Sequence, residues 1–386
     1  MKKQLLSLAV LLMGAAAFTA CGDDDDEPYV PKAVDVSNGM FVVCSGHMST
    51  PIDGGLTYYD YATKSATQQA FKQVNGRELG LTANDALVYG SKMYIVVTNA
   101  NTIEVVDKAT LRSVKQLKMG DLLASGEGNQ PRHITADGGK IYVTTYGSSA
   151  ADWSAYQVTG NGYVVAIDTV NYQVSGSYAV GGFPEGVAVV GNYVYATNSM
   201  YSMGNASISK VNLATGEESK ITSDDIINPV AMVAIGGNLY YLDSGAYGSE
   251  PPYAQVNAGV RKVTTSGQVT KVADATAMAS DGKDIYVINA PYGTGTTAYA
   301  VYKVAAGTVQ AFTPSEDVEY PNAIGVDPIT GDVFVASNSK NPDTGYASYN
   351  LPGYVKQYKA NGEFVAKFDC WVGPTAIVAN TGVKYE

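Results

Sequence analysis

The sequence predicts an all-β fold, a seven-bladed β-propeller of four-stranded antiparallel blades, and three observations predict it. A short apolar strand with an aromatic second residue recurs at Phe41, Tyr94, Tyr142, Tyr195, Tyr240, Tyr286 and Phe334, spaced 45 to 53 residues apart. Repeats of that length made only of strands are the mark of propeller blades. Composition points the same way: 41 Gly supply turns, 46% hydrophobic residues supply a large core, and 16% charged residues are too few for disorder. The repeats are also out of phase with the chain ends. The ring is entered on an aromatic strand at Met40 and left on a first strand, Thr375 to Ala379, so the terminal strands are expected to pair and close it.

Ahead of the ring, Lys2 and Lys3 precede an apolar run from Leu5 to Phe18 that is too short to span a bilayer as a mature helix. Residues 1–20 therefore read as a signal peptide. Phe18-Thr19-Ala20-Cys21 resembles a bacterial lipobox, in which Cys21 is acylated and holds the protein to a membrane through its lipid alone. Residues 21–37, with Asp23 to Asp26, Glu27, Pro28 and Pro31, form an extended acidic tether. The acid run is similar to the export tag of surface lipoproteins in Bacteroidetes; a plain solvated arm is the alternative. The propeller is expected over 38–386.

Each blade reads as four strands. The first is often opened by proline, as at Pro131, Pro184, Pro229, Pro321 and Pro374, and is followed by a tight Gly/Asn turn such as Gly191-Asn192 or Gly236-Gly237-Asn238. The aromatic strand comes next, then a third strand with a polar end, as in Ile167-Asp168. The fourth is weak and polar, as suits a solvent-facing edge. No segment reads as a persuasive helix. Cys44 ends the entering strand and Cys370 lies just before the leaving one, so the two are a candidate disulfide across the closure, with a pair of buried free thiols as the alternative.

In an up-and-down blade the first turns fall on one face and are all short here. The connections between second and third strands fall on the other and are long in every blade except the second. They carry Trp153, Tyr156, Tyr201, Tyr247, Tyr253, Tyr292, Tyr346 and Tyr349, and a neighbouring loop carries Trp371. Rigid rings with polar tips, set among Gly, Ser, Asn and Thr, build broad ligand surfaces, so these nine are the candidate ligand-binding residues. Arg132, at the mouth of the central channel, joins them as a donor to ligand carbonyls or phosphate, unless it pairs with a neighbouring acid.

The remaining chemistry is sparse. With 25 Lys+Arg against 36 Asp+Glu, the chain has no obvious basic face for nucleic acid. Two His and three Cys exclude a zinc cluster of the usual kind, and no catalytic residue, metal or cofactor is expected.

Repeats of the form Pro-x-x-apolar, turn, apolar-Tyr-Val, then Ile167-Asp168-Thr169 or Val106-Asp107-Lys108-Ala109-Thr110, resemble the YncE-like propellers over essentially residues 38–382. Together with the lipobox, the acidic run and the tyrosine-rich face, the chain resembles the BtuG-like cobalamin-binding surface lipoproteins of Bacteroides. That resemblance implies a non-enzymatic protein, lipid-anchored in the outer membrane and facing the cell exterior. It would capture cobalamin or a related corrinoid as a transported ligand and pass it to an outer-membrane TonB-dependent transporter. The alternatives are a surface glycan-binding lipoprotein and a metal-dependent propeller hydrolase.

Overall fold

A computed structural model describes residues 31–386 apart from Thr265. The leader, Cys21 and the whole acidic run lie outside the described residues. The propeller, Asp35–Gly382, is one compact unit. The other has 31–34 and Val383–Glu386 as its described parts, where Lys32 and Glu386 exchange backbone hydrogen bonds of 2.7 and 3.0 Å.

Seven four-stranded antiparallel sheets form the ring. In blade 1 the last strand, Pro374–Tyr385, is innermost and pairs with the first, Ala33–Cys44, which is followed outward by Gly55–Asp60 and Ser65–Thr67. Blades 2 to 7 each run outward in chain order from an inner strand. Those inner strands are Ala83–Tyr89, Pro131–Asp137, Pro184–Val190, Pro229–Ile235, Ala277–Ser280 and Pro321–Val326. The entering strand begins at Ala33, where residues 33–36 already alternate exposed and half-buried positions in strand fashion.

The aromatic strands are apolar on both faces, and the packing explains why. The buried side chains fall into seven hydrophobic clusters, each shared by two adjacent blades. Every second strand therefore faces a neighbour on either side. Phe41 packs between blades 1 and 2, Tyr94 between 2 and 3, and Phe334 between 7 and 1, all fully buried. Burying one such ring contributes about 1.5–3 kcal/mol before chain entropy is counted.

At the closure Cys44 and Cys370 are both buried and both free. A hydrogen bond with Cys44, together with burial, pushes the Cys370 thiol well above its ordinary value. The ring is thus joined here by strand pairing and packing, with the two cysteines as a thiol pair instead of a cross-link.

Two short helices depart from the strand-only expectation, Ala70–Asn75 and Met119–Leu122, each in a blade-to-blade connection. Phe71 of the first is fully buried between blades 1 and 2, and left-handed Gly76 ends it by donating to the Lys72 carbonyl. Tertiary burial of one ring, not helical periodicity, makes this turn. Two of the long connections are themselves hairpins, Ala150–Asp152 with Gln157–Thr159 and Ala246–Tyr247 with Gln255–Val256.

Candidate functional site

Nine aromatic residues among those described are more than one-third exposed. Tyr385 is one; the other eight are Trp153, Tyr156, Tyr201, Tyr247, Tyr253, Tyr292, Tyr346 and Tyr349, all on connections of the same face. Blades 3 to 7 contribute them, so they form a crescent around the channel mouth that leaves blades 1 and 2 bare.

Three groups make up the crescent. In blade 3 Trp153 and Tyr156 sit at the hairpin tip, which Asp152 braces by accepting from the Ser154 hydroxyl (2.6 Å) and from the Ser154 and Ala155 amides. Those bonds hold the Asp152 carboxyl below the usual carboxylate range. Tyr201 of blade 4 stacks on Phe183 at 3.9 Å and lies beneath Trp153 at 6.2 Å, with Tyr146 edge-on at 5.9 Å. In blades 5 and 6 Tyr247 and Tyr292 meet edge to face at 6.3 Å. A two-way bond between Gln255 and Tyr292 ties their loops: the Gln255 amide donates to the Tyr292 carbonyl and the Tyr292 amide to Gln255 Oε1. Beneath them the buried pair Asp243 and Arg261 grips both ends of the Tyr247 loop. Asp243 accepts from the Gly245 amide, and Arg261 donates to the carbonyls of Asn257 and Gly259. In blade 7 Tyr346 and Tyr349 ride on a loop pinned by Tyr320, whose hydroxyl donates to the Gly345 carbonyl at 2.6 Å.

Between the rings lie polar hollows. One of about 780 Å³ beside Tyr201 is lined by Asn161, Gly182, Asn205, Ser207 and Lys220. Another of about 330 Å³, next to Tyr349, is lined by His47, Asn322 and Asn338.

The backbone of the crescent is strained at its rings. Tyr156, Tyr201 and Tyr253 adopt left-handed φ of 50, 48 and 57°, where glycine or asparagine is the low-energy choice. Bulky residues held in that region are concentrated at functional surfaces.

Trp371 stands apart from the others. It is half-buried, its indole N–H donates to the Asp53 carbonyl at 3.0 Å, and its ring lies so close to Gly55 that a Cβ there would approach to 2.8 Å. It lies in the outer strand of blade 7, Phe364–Val372, and braces that blade against blade 1, so the crescent consists of eight rings without it.

Arg132 does pair with an acid. Its Nε donates to Glu185 Oε2 at 2.9 Å and its guanidinium lies 5.0 Å over the Tyr146 ring. Burial lowers the guanidinium's proton affinity, but Glu185 outweighs it and the net shift is upward. Tyr146 donates to Glu185 Oε1, and burial beside that carboxylate pushes its phenol far up, so it stays a donor. On the channel side His133 Nδ1 donates to Asp85 Oδ2 at 3.0 Å, with Nε2 3.5 Å from Glu185 Oε2. Sequence reading singled out Arg132 but missed Glu185 and Asp85. Glu185 aligns with Arg132, and Asp85 with His133, on the first strands that flank blade 3 on either side, so only superposition of the repeats would have exposed them.

Among the described residues no group of three or more His, Cys, Asp or Glu is arranged to hold a metal ion, and no helix is long and apolar enough to cross a membrane.

No protein-family model and no curated protein matches the chain. Solved structures do. A functionally unknown protein from Desulfotomaculum acetoxidans superposes with a TM-score of 0.57 at 10% identity, over 89% of this chain and 99% of that one. A candidate 6-phosphogluconolactonase from Bacteroides fragilis gives 0.54 at 13% identity, over 89% and 98%. The Synechocystis apocarotenoid oxygenase gives 0.54 at 11% identity, over 92% and 97%. These likenesses establish the propeller fold; at such identities they carry no activity with them.

Proposed function

We propose that the protein captures a broad, flat, amide-edged ligand of the cobalamin class on its aromatic face. The single observation that carries this reading is the segregation of eight of the nine exposed aromatic rings to one face of the ring. Exposed rings gathered in this way mark a ligand or partner surface. Phenols and indoles stack on apolar planes with little loss of side-chain freedom, and their tips, with Asn and Ser between them, satisfy amide edges. A rigid propeller holds them in place before binding, which lowers the ordering cost and favours high affinity.

The choice of a corrinoid over other flat ligands rests on the sequence resemblance. So does the wider role: a lipid-anchored capture protein at the outer surface of the outer membrane that hands its ligand to a TonB-dependent transporter. Calorimetric titration of the chain from Glu27 onward with cyanocobalamin tests the proposal. One-to-one binding too tight to resolve directly is the expected result. Absence of heat, with no red colour on the purified protein, would remove the corrinoid, and binding of an oligosaccharide in a glycan panel would then assign the rings to sugar.

A further inference from the structure

One repeat-equivalent position per blade, the second residue after Pro131, Pro184, Pro229, Pro321 and Pro374 and its counterparts Asp85 and Ala277, lines the central channel. In blades 2 and 3 it is Asp85 and His133; in the other five blades it is Gly186 or an alanine. Gly186 is small for a local reason, since a Cβ there would meet the Met232 backbone nitrogen at 2.3 Å. The four alanines leave open space, and the resulting cavity holds about 660 Å³. Asp85 and His133 are the only ionisable residues in its wall, which otherwise mixes apolar side chains with Asn84, Asn322 and several Ser and Thr; Arg132 is not part of that wall. The channel is therefore lopsided, with one acid–base pair on one side and vacant volume opposite.

The hydrogen bonds around that pair define what could enter. Asp85 Oδ1 accepts from the Ala86 amide at 2.8 Å, and Oδ2 accepts from His133 and from the Ile134 amide at 3.2 Å. Glu185 is occupied by Tyr146 at one oxygen and by Arg132 at the other. All four carboxylate oxygens thus already accept at least one hydrogen bond, and the Arg132 guanidinium beside Glu185 opposes a second cation there. An anion would find Arg132 already neutralised by Glu185. What remains is donor capacity, because Arg132 uses only Nε within the protein and its two terminal nitrogens donate to no described residue.

We infer that the channel mouth is a second binding site, which takes a compact, planar, apolar-bodied group ending in a neutral hydrogen-bond acceptor such as an amide carbonyl. Arg132 donates to that acceptor, His133 and Asp85 form the polar wall beside it, and the group's apolar body fills the space left by Ala231 and Ala277. The site lies within the ring of strands, separate from the rim of exposed rings, and does not depend on which large ligand that rim takes.

The two histidines of the chain make the site directly readable. Imidazole resonances are recorded during titration with three planar probes of equal size: benzamide, benzoate and benzamidine. His133→Gln assigns the signals, and His47, outside the channel, is the internal reference. Benzamide is expected to shift His133 saturably and leave His47 in place, with the two charged probes at least 10-fold weaker. Arg132→Met should abolish the shift. Ala277→Leu, which fills the cavity without touching the charged cluster, should abolish it as well. A His133 signal that benzamide does not move, equal affinity for all three probes, or a shift that survives Ala277→Leu would overturn the inference. These probes report on the channel whether or not cyanocobalamin binds the rim.

Discussion

The first turns of the blades and the long loops on the other face solve the same backbone problem in opposite ways. In the first turns the sequence supplies glycine where a left-handed residue is needed, whereas the third-to-fourth-strand turns on that face also use Leu111 and Tyr172. Gly236 and Gly237, at φ of 56 and 78°, have nothing within 4 Å of where a Cβ would stand, so they are glycine for conformation and not for space. On the loop face, Tyr156, Tyr201 and Tyr253 occupy the same region of conformational space. A tyrosine there costs about 1–2 kcal/mol of backbone strain relative to glycine. The first turns are thus optimised for folding, and the long loops keep exposed rings where folding alone would not place them. That contrast is the physical signature expected of a surface built for binding.

The comparison can be broken most severely at the charged cluster beneath the loop face. Glu185→Ala leaves Arg132, Tyr146 and His133 without their shared acceptor in a largely buried site. A loss of about 3–5 kcal/mol is expected, read as a lowered midpoint of urea unfolding. On the turn face the comparable residue is Asp332, buried and accepting from Gln357 and Lys359. Gly237→Ala there is a milder change, which forces a side chain into the left-handed region at a cost of about 1–2 kcal/mol and leaves ligand binding unchanged.

Tyr253→Gly sharpens the contrast. Relief of strain and the greater freedom of the unfolded chain oppose each other, so stability should stay within about 1 kcal/mol of the parent. Cyanocobalamin affinity should fall all the same, by roughly 5-fold or more for one lost stacking ring. A clear loss of stability with unchanged affinity would mark Tyr253 as a loop strut.

The smallest effect belongs to the core that both faces share. Tyr94 is fully buried, its hydroxyl has no hydrogen-bond partner, and burial pushes its phenol up to about 12. The folded protein keeps that proton after the unfolded chain begins to release its own near 10.0, so this contribution is complete below that pH and declines as pH rises toward 12. Tyr94→Phe should be close to neutral at pH 7 and should flatten the alkaline loss of stability in denaturant titrations from pH 9 to 12.

The sequence made the ring legible because its signal is repeated. Seven aromatic strands and short Gly/Asn turns each report the same blade, and the phase of the repeats located the closure. The exposed rings were legible for a related reason: a tyrosine outside the strand pattern has no packing role to explain it. Trp371 shows where that logic stops, since exposure cannot be read from loop membership and a neighbouring glycine decided its burial. The helix at Ala70–Asn75 was hidden because one buried phenylalanine, not periodicity, holds it. The charged cluster was hidden because its members come from three blades, with Asp85 and Glu185 48 and 52 residues from His133, and meet only when the inner strands stand side by side.

The most direct test of the central claim is the cyanocobalamin affinity of the Trp153→Ala/Tyr349→Ala double variant beside the parent chain. The two rings belong to blades 3 and 7, and both are mostly exposed, so their loss should not disturb the fold. At about 1–3 kcal/mol per stacked ring, the account predicts a loss of at least roughly 30-fold in affinity with unfolding curves that superimpose. Equal affinity in the parent and the double variant would contradict it and place the ligand elsewhere on the propeller.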